Sequence, residues 1–310
     1  MPARATRDAF GEALAKMGEK YPEVVALDAD LAKSTKSEIF AKKFPHRFFE
    51  MGIAEANMIG TGAGLALAGK IPFICSFACF VTGRYDQIRI SIGYAQANVR
   101  IVGSHAGVAI GDDGYSQMGL EDVALMRAIP GMVVIQPADD LETEGAVEYL
   151  CRHRGPAFLR TTRQKVERVN PEVYRFEFGK AVELRKGGKD AVVFATGGEV
   201  YFALQAAEQL AKQGWDVGVV NVHTIKPLDV EAVLAAAKRT RLIVTAEDHQ
   251  IIGGLGSAVS EVLAEHGVGT RLLRIGVRDT FGESGTPEAV LAWFKLDAAG
   301  LAEQIAAALS

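Results

Sequence analysis

Two doubly wound α/β domains in tandem, the second smaller than the first, are the fold class this sequence predicts. Three observations carry it. Short apolar runs alternate with amphipathic stretches of helical period along most of the 310 residues, the pattern of mainly parallel sheets covered on both faces. A polar, aperiodic break at 164–178, carrying Pro171, divides that alternation into two blocks. The 33 glycines fall largely at junctions between apolar runs, where tight turns and close helix packing need them.

The elements follow in order. Residues 6–21 read as a helix with Phe10, Leu14 and Met17 on one stripe, and 24–27 as a buried strand. A short helix at 37–43 and a strand at 47–51 precede a helix at 54–68 rich in small residues. Strands at 71–75, 99–102, 132–135 and 157–160 alternate with helices at 86–97, 120–128 and 140–152. After the break come strands at 190–195, 216–221, 242–246 and 270–275, with helices at 201–213, 230–237 and 255–266 between them. Helices at 287–294 and 298–309 close the chain. The expected division is a first domain at 1–165, a linker at 166–176 and a second domain at 177–310.

Composition excludes several classes of protein. Hydrophobic residues make up 49% and net charge is only −4, which rules out disorder as the main state. The slightly acidic balance argues against a nucleic-acid or anionic-membrane binder. Three cysteines, Cys75, Cys79 and Cys151, cannot form a disulfide framework and fit a reducing compartment. No apolar run follows Met1 that would make a signal peptide, and the longest apolar stretch, 59–68, is too short to span a bilayer. A cytoplasmic protein is the expectation.

Familiar motifs are mostly missing. Gly111-Asp112-Asp113-Gly114 and Gly253-Gly254-Leu255-Gly256 match neither the dinucleotide nor the phosphate-loop pattern. The six histidines show no zinc spacing, and no nucleophile elbow occurs. Glu55 is the most informative residue, lying where a strand gives way to a small-residue helix, near the carboxyl edge of a sheet where α/β folds place ligands. A buried carboxylate there is placed to share a proton with a ring nitrogen. The same position equally suits a first-turn carboxylate stabilised by the helix dipole. Phe77 and Phe80, three apart after a strand, share a face on which a flat ring can stack, although core packing explains them as well. His105 follows a strand and precedes the long loop 107–117. Arg7 and Arg163 carry guanidinium groups suited to clamping a phosphate, although surface arginines taken one by one are mostly solvated.

Read together, ordered stretches along essentially the whole chain resemble the C-terminal half of transketolase. They are Leu27-Asp28-Ala29-Asp30 with Ser34-Thr35, Gly52-Ile53-Ala54-Glu55-Ala56-Asn57-Met58, and Ser76-Phe77-Ala78-Cys79-Phe80 with Asp86-Gln87-Ile88-Arg89. Gly103-Ser104-His105-Ala106-Gly107, the run from Gly111 through Gln117 to Asp122, and Thr162-Arg163-Gln164 continue the series. In the second domain Thr224–Asp229, Glu247-Asp248-His249 and Gly282–Gly285 are similar to the family too.

The resemblance implies thiamine diphosphate and a divalent cation, Mg²⁺ or another. It implies that Glu55 contacts N1′ of the aminopyrimidine and so activates the cofactor. Phe77 and Phe80 would stack on that ring, and Asp30 would help position it. His105 and Asp113 would bind sugar hydroxyls, with Arg7, Ser34 and Arg163 on the terminal phosphate. Gln117 stands where many bacterial members have His; it can hydrogen-bond a hydroxyl but cannot exchange a proton near neutral pH. The GDG…N metal–diphosphate motif does not occur in this sequence, and no metal ligand is assigned. The expectation is the C-terminal subunit of a split transketolase, active only with an N-terminal subunit carrying that motif, in an α2β2 heterotetramer that acts on sugar phosphates. The β subunit of a 2-oxoacid dehydrogenase decarboxylase has the same domain order, but 2-oxoacids carry no distal phosphate to occupy Arg7, Ser34 and Arg163. A non-catalytic partner retaining the fold is a further alternative. The second domain supplies no residue expected in catalysis, with His249 read as an exposed capping residue.

Overall fold

In a computed structural model describing residues 3–310, the chain builds two large sheets. The first has seven strands in the order Thr224–Lys226, Val133–Ile135, Ala157–Arg160, Arg100–Ser104, Ile71–Phe77, Val24–Asp28, Phe48–Glu50. All neighbours pair in parallel except Thr224–Lys226, which runs antiparallel to Val133–Ile135. The second has five, in the order Arg271–Val277, Leu242–Gln250, Ala191–Ala195, Val217–Asn221, Val182–Arg185, with only the last antiparallel. Central strands such as Val24–Asp28, Ile71–Phe77 and Ala191–Ala195 are buried at every residue, which is why they read as unbroken apolar runs rather than alternating ones.

Helices bury their apolar stripes against these strands. Phe10, Leu14 and Met17 of Thr6–Lys20 pack with Ala26, Phe73 and Cys75 in one cluster. Gly62 in Glu55–Leu67 has a steric cause: a Cβ there would come within 2.7 Å of Ile74 Cγ2, whereas one on Gly60 or Gly64 would meet nothing within 4 Å. Asp139, Asp229, Thr286 and Asp297 cap their helices by accepting a hydrogen bond from a first-turn N–H.

Several expectations shift. The 164–178 segment, which holds the expected linker, is tied down: Lys165–Val166 pairs with Arg4–Ala5, Arg168 grips Asp140 with two nitrogens, and Tyr174 donates to Glu142 at 2.7 Å. Strand Thr224–Lys226, in a stretch with no strand expected, crosses from the second block to extend the first sheet, and Lys226 Nζ caps the carbonyls of Arg127 and Ile129. The expected helix at 86–97 is a short turn, Tyr85–Gln87, running into a π-helix, Ile88–Tyr94. His249 is buried rather than exposed, with Nδ1–H donating to Gln250 O at 2.6 Å. No helix is long and apolar enough to cross a membrane among the described residues.

The two blocks meet through a buried arginine. Arg160 and Asp122, both fully buried, form a two-point ion pair at 2.7 and 3.1 Å. Arg160 Nη2 also donates to Gly119 O and to Asp248 O, each at 2.9 Å.

Candidate active site

The expected residues gather at the carboxyl ends of the first sheet's parallel strands, where Asp28, Phe77 and Ser104 are the last strand residues. His105 follows at once with φ +54°, an uncommon conformation for a side-chain-bearing residue. That turn swings the imidazole back over the sheet edge. It stacks on Phe77 with ring centroids 3.9 Å apart, and Phe77 stacks in turn on Phe80 at 5.5 Å with planes 9° apart. Phe77 is buried, whereas Phe80 is half-buried and lines a cavity of about 720 Å³ with Tyr115, Met118 and Phe281.

Arg7 reaches His105 because two distant segments are stitched together. Thr162 N donates to Thr6 Oγ1 at 2.9 Å, and Arg7 N donates to Thr162 O at 3.2 Å. Arg7 Nη1 then donates to His105 Nε2 at 2.6 Å and to Ser34 O at 3.1 Å. A guanidinium only donates, so Nε2 carries the lone pair and Nδ1 the proton. Nδ1–H points to Ser104 Oγ at 2.8 Å, and Ser104 Oγ donates to Ser76 O at 3.4 Å. Ser76 Oγ donates to Glu55 Oε1 at 3.4 Å. Glu55 opens helix Glu55–Leu67 and is buried, and its Oε2 accepts no hydrogen bond among the described residues.

Beside Arg7 lies the pair Arg163 Nη1–Asp113 Oδ2 at 3.2 Å, about three-quarters buried on both sides. Among the described residues Arg7 Nε is buried without a hydrogen-bond partner, its nearest acid being Asp8 at 3.9 Å. Burial is the main force pushing the His105 pKa down to about 3, with Arg7, Arg163 and Lys36 adding repulsion. The imidazole is therefore neutral at physiological pH. Burial also lowers the Arg7 pKa, and it lifts Asp28 to about 6 against hydrogen bonds from Thr35, Ser37 and the Leu31 amide.

Not every expected side chain joins this cluster by a contact. Ser34 meets Arg7 through its carbonyl, not its hydroxyl. Asp30 is exposed with φ +62°, and its amide donates to Glu50 Oε1 at 2.8 Å. Gln117 is half-buried, and the contact it makes is its carbonyl receiving Cys79 Sγ–H at 3.1 Å. The structure adds Lys36, Ser76 and Ser104, which sequence reasoning missed. Ser76 and Ser104 are fully buried in adjacent strands, Ser76 one residue before the end of its strand and Ser104 at the end of its own, and a serine near the close of an apolar run at a sheet's carboxyl edge was the available signal. No group of three or more His, Cys, Asp or Glu side chains that could hold a metal occurs among the described residues.

Comparison with known proteins accords with this geometry. Residues 3–168 match the transketolase pyrimidine-binding domain family, and residues 179–301 the transketolase C-terminal domain family. A putative transketolase C-terminal section of Methanocaldococcus jannaschii is 45% identical over 305 residues, covering 97% of this chain and 95% of the relative. A 6-deoxy-6-sulfo-D-fructose transketolase subunit of a Clostridium species is 45% identical over 293 residues, covering 94% and 90%. A solved structure described as a split gene transketolase, inactive beta4 tetramer, superposes with a TM-score of 0.89 at 42% identity, covering 99% of this chain and 98% of that one. This chain belongs to the transketolase family, as a C-terminal section that pairs the pyrimidine-binding and C-terminal domains of a thiamine diphosphate enzyme.

Proposed function

We propose that this chain forms the pyrimidine side and the sugar side of a transketolase active site. With an N-terminal subunit it moves a two-carbon ketol unit from a ketose phosphate to an aldose phosphate. The observation that carries the reading is the His105 ring, which stacks at 3.9 Å on Phe77 while its Nε2 takes a 2.6 Å hydrogen bond from Arg7. One imidazole thereby joins an aromatic platform to a cationic pocket, as an enzyme needs when its cofactor and an anionic substrate share one cleft.

The residues suit an aminopyrimidine. Glu55 offers a buried carboxylate with one oxygen unengaged, and Phe77 and Phe80 offer near-parallel rings. Thiamine diphosphate, when bound, supplies the nucleophilic carbon and the electron sink for carbon–carbon cleavage. Glu55 would hold a proton at N1′, with Ser76 Oγ fixing its other oxygen, and Asp30 would position the ring from the sheet edge. Arg7 and Arg163, with Ser34 and Lys36, would take the distal anion. The buried, unpartnered Arg7 Nε is the donor such an oxyanion would satisfy. His105, Asp113 and Gln117 would bind sugar hydroxyls.

The diphosphate and Mg²⁺ we assign to a separate N-terminal subunit carrying the GDG…N motif, in a cytoplasmic α2β2 heterotetramer. What supports this is that the two relatives are described as a C-terminal section and a subunit, each aligned over nearly its whole length. The Clostridium relative is named for a sulfonated sugar, and a sulfonate presents the same three-oxygen face as a phosphate. The test is reconstitution with the companion subunit, thiamine diphosphate and Mg²⁺, assayed with a ketose phosphate and a sulfonated ketose in parallel. Ketol transfer from the phosphate donor is expected, falling by about a hundredfold or more in Glu55→Gln. Transfer only from the sulfonated donor would reassign the substrate. No transfer from either, or full activity in Glu55→Gln, would overturn the reading.

A further inference from the structure

We propose that Asp248, from the second sheet, is a positioning residue for the substrate side of the site: it holds residues 107–113 so that Asp113 meets Arg163. This rests on the function proposed above. Asp248 lies near the carboxyl end of Leu242–Gln250, a strand beside Ala191–Ala195 in the middle of the five-stranded sheet. Ligands of α/β sheets bind outside such strand ends. Here the first block's loop takes that position.

The contacts are specific. Asp248 is buried, and both of its carboxylate oxygens serve the loop: Oδ1 accepts from Val108 N at 2.7 Å and Oδ2 from Ala109 N at 3.3 Å. Approach this close requires glycine next door. Gly107 has φ +84°, and a Cβ there would stand 1.9 Å from Asp248 Oδ2. Arg160 Nη2 fixes Asp248 itself through its carbonyl and fixes Gly119 O, which accepts Gly107 N at 3.0 Å. One buried guanidinium therefore ties the anchor to the Gly107–Gly119 closure from which the loop starts.

The second block touches the loop again further along. A Cβ on Gly111 would meet Pro287 at 2.8 Å, and one on Gly114 would meet Ser284 Oγ at 2.5 Å. Asp113 lies between these points and pairs with Arg163 at 3.2 Å. His105 immediately precedes the anchored stretch. A carboxylate that spends both oxygens on another block's loop, two residues beyond a histidine that meets the sugar, controls that loop's path. Its own sheet takes nothing from those oxygens.

Asp248→Asn keeps the shape and removes one acceptor. In the reconstituted complex, KM for the sugar phosphate should rise about tenfold, the cost of a lost buried hydrogen bond, while half-saturation by thiamine diphosphate stays unchanged. Asp113→Asn/Asp248→Asn should lose no more than Asp113→Asn, because the anchor acts through Asp113. Amide exchange at Val108 and Ala109 should accelerate in the chain. Gly107→Ala, which strikes the same contact from the loop side, should reproduce the KM change if Asp248→Asn folds poorly. An active wild-type complex whose KM is unmoved in both variants, or additive losses in the double variant, would overturn the proposal. An inactive wild-type complex would instead overturn the functional reading on which it rests.

Discussion

Arg7→Gln separates the cationic pocket from the imidazole it faces. Glutamine keeps a polar side chain, two bonds short of the Arg7 Nη atoms, and removes the charge. Two effects on His105 follow, and both have the same sign. The nearest like charge disappears, and the guanidinium that donates to the Nε2 lone pair goes with it. Each of these favours the neutral ring, so losing them raises its pKa. The full depression is about 3.5 pH units, from 6.5 to about 3, with burial as its largest cause and Arg7 the second. Burial, Arg163 and Lys36 remain in the variant. A rise is therefore expected, read from the His105 ring resonances in an NMR titration of the chain. In the complex the same substitution removes a charge-assisted contact to the distal anion, worth about 1.5–3 kcal/mol. The Arg7 side chain is 22% exposed, which puts the effect toward the lower end, about tenfold to thirtyfold in kcat/KM. An unphosphorylated sugar should be nearly indifferent. A His105 titration that does not move, or equal losses on phosphorylated and unphosphorylated sugars, would refute the reasoning.

Glu199→Gln should stabilise the chain increasingly as pH rises. Glu199 is fully buried with neither carboxylate oxygen hydrogen-bonded, and burial, with Asp248 and Asp297 adding, pushes its pKa well above the ordinary 4.5. A raised folded pKa means that its contribution is fully present below about pH 4.5 and is lost as pH climbs toward the folded value, by ~1.4 kcal/mol per pH unit. Urea midpoints compared at pH 5 and pH 7 should therefore diverge in favour of the variant, and parallel curves would contradict this. Asp122→Asn leaves Arg160 buried without its counter-charge and should destabilise by about 3–5 kcal/mol in urea unfolding. A loss below about 1 kcal/mol would mean that water or Asp248 compensates.

What the sequence made legible was whatever is encoded locally. The strand at 24–27 and the helix at 140–152 were readable because burial on both sheet faces leaves an unbroken apolar run, and an amphipathic helix leaves a stripe. Glu55, Phe77, Phe80 and His105 stood out as candidates for a related reason, each closing or following such a run near a sheet edge. A first-turn carboxylate and core packing fitted Glu55 and the phenylalanines as well, and the family resemblance decided between the readings. Arg7 and Arg163 were different. Nothing near either residue points to the other, and it is the pairing of Arg4–Ala5 with Lys165–Val166 and the hydrogen bonds of Thr6 and Arg7 to Thr162 that bring them together, so their association came from family resemblance and not from local pattern. Strand Thr224–Lys226 stayed hidden because its three residues take their order from a partner strand about ninety residues earlier.

Asp248 and His249 show the same limit more sharply. Within Glu247-Asp248-His249 the three side chains look alike as polar residues following a strand, and His249 was read as exposed. Each in fact faces a different structure. Glu247 accepts from the amides of Leu255 and Gly256 in its own block. Asp248 accepts from Val108 and Ala109, and His249 Nε2 from Ala124, both in the other block. A carboxylate needs donors if it is to be buried, and these donors lie 139 and 140 residues away in the chain. The polar run is therefore a seam between blocks, and the loop bearing Asp113 is shaped from its far side. If that loop is where sugars are recognised, the second sheet is part of the recognition apparatus even though none of its side chains reaches into the Arg7–His105 cluster.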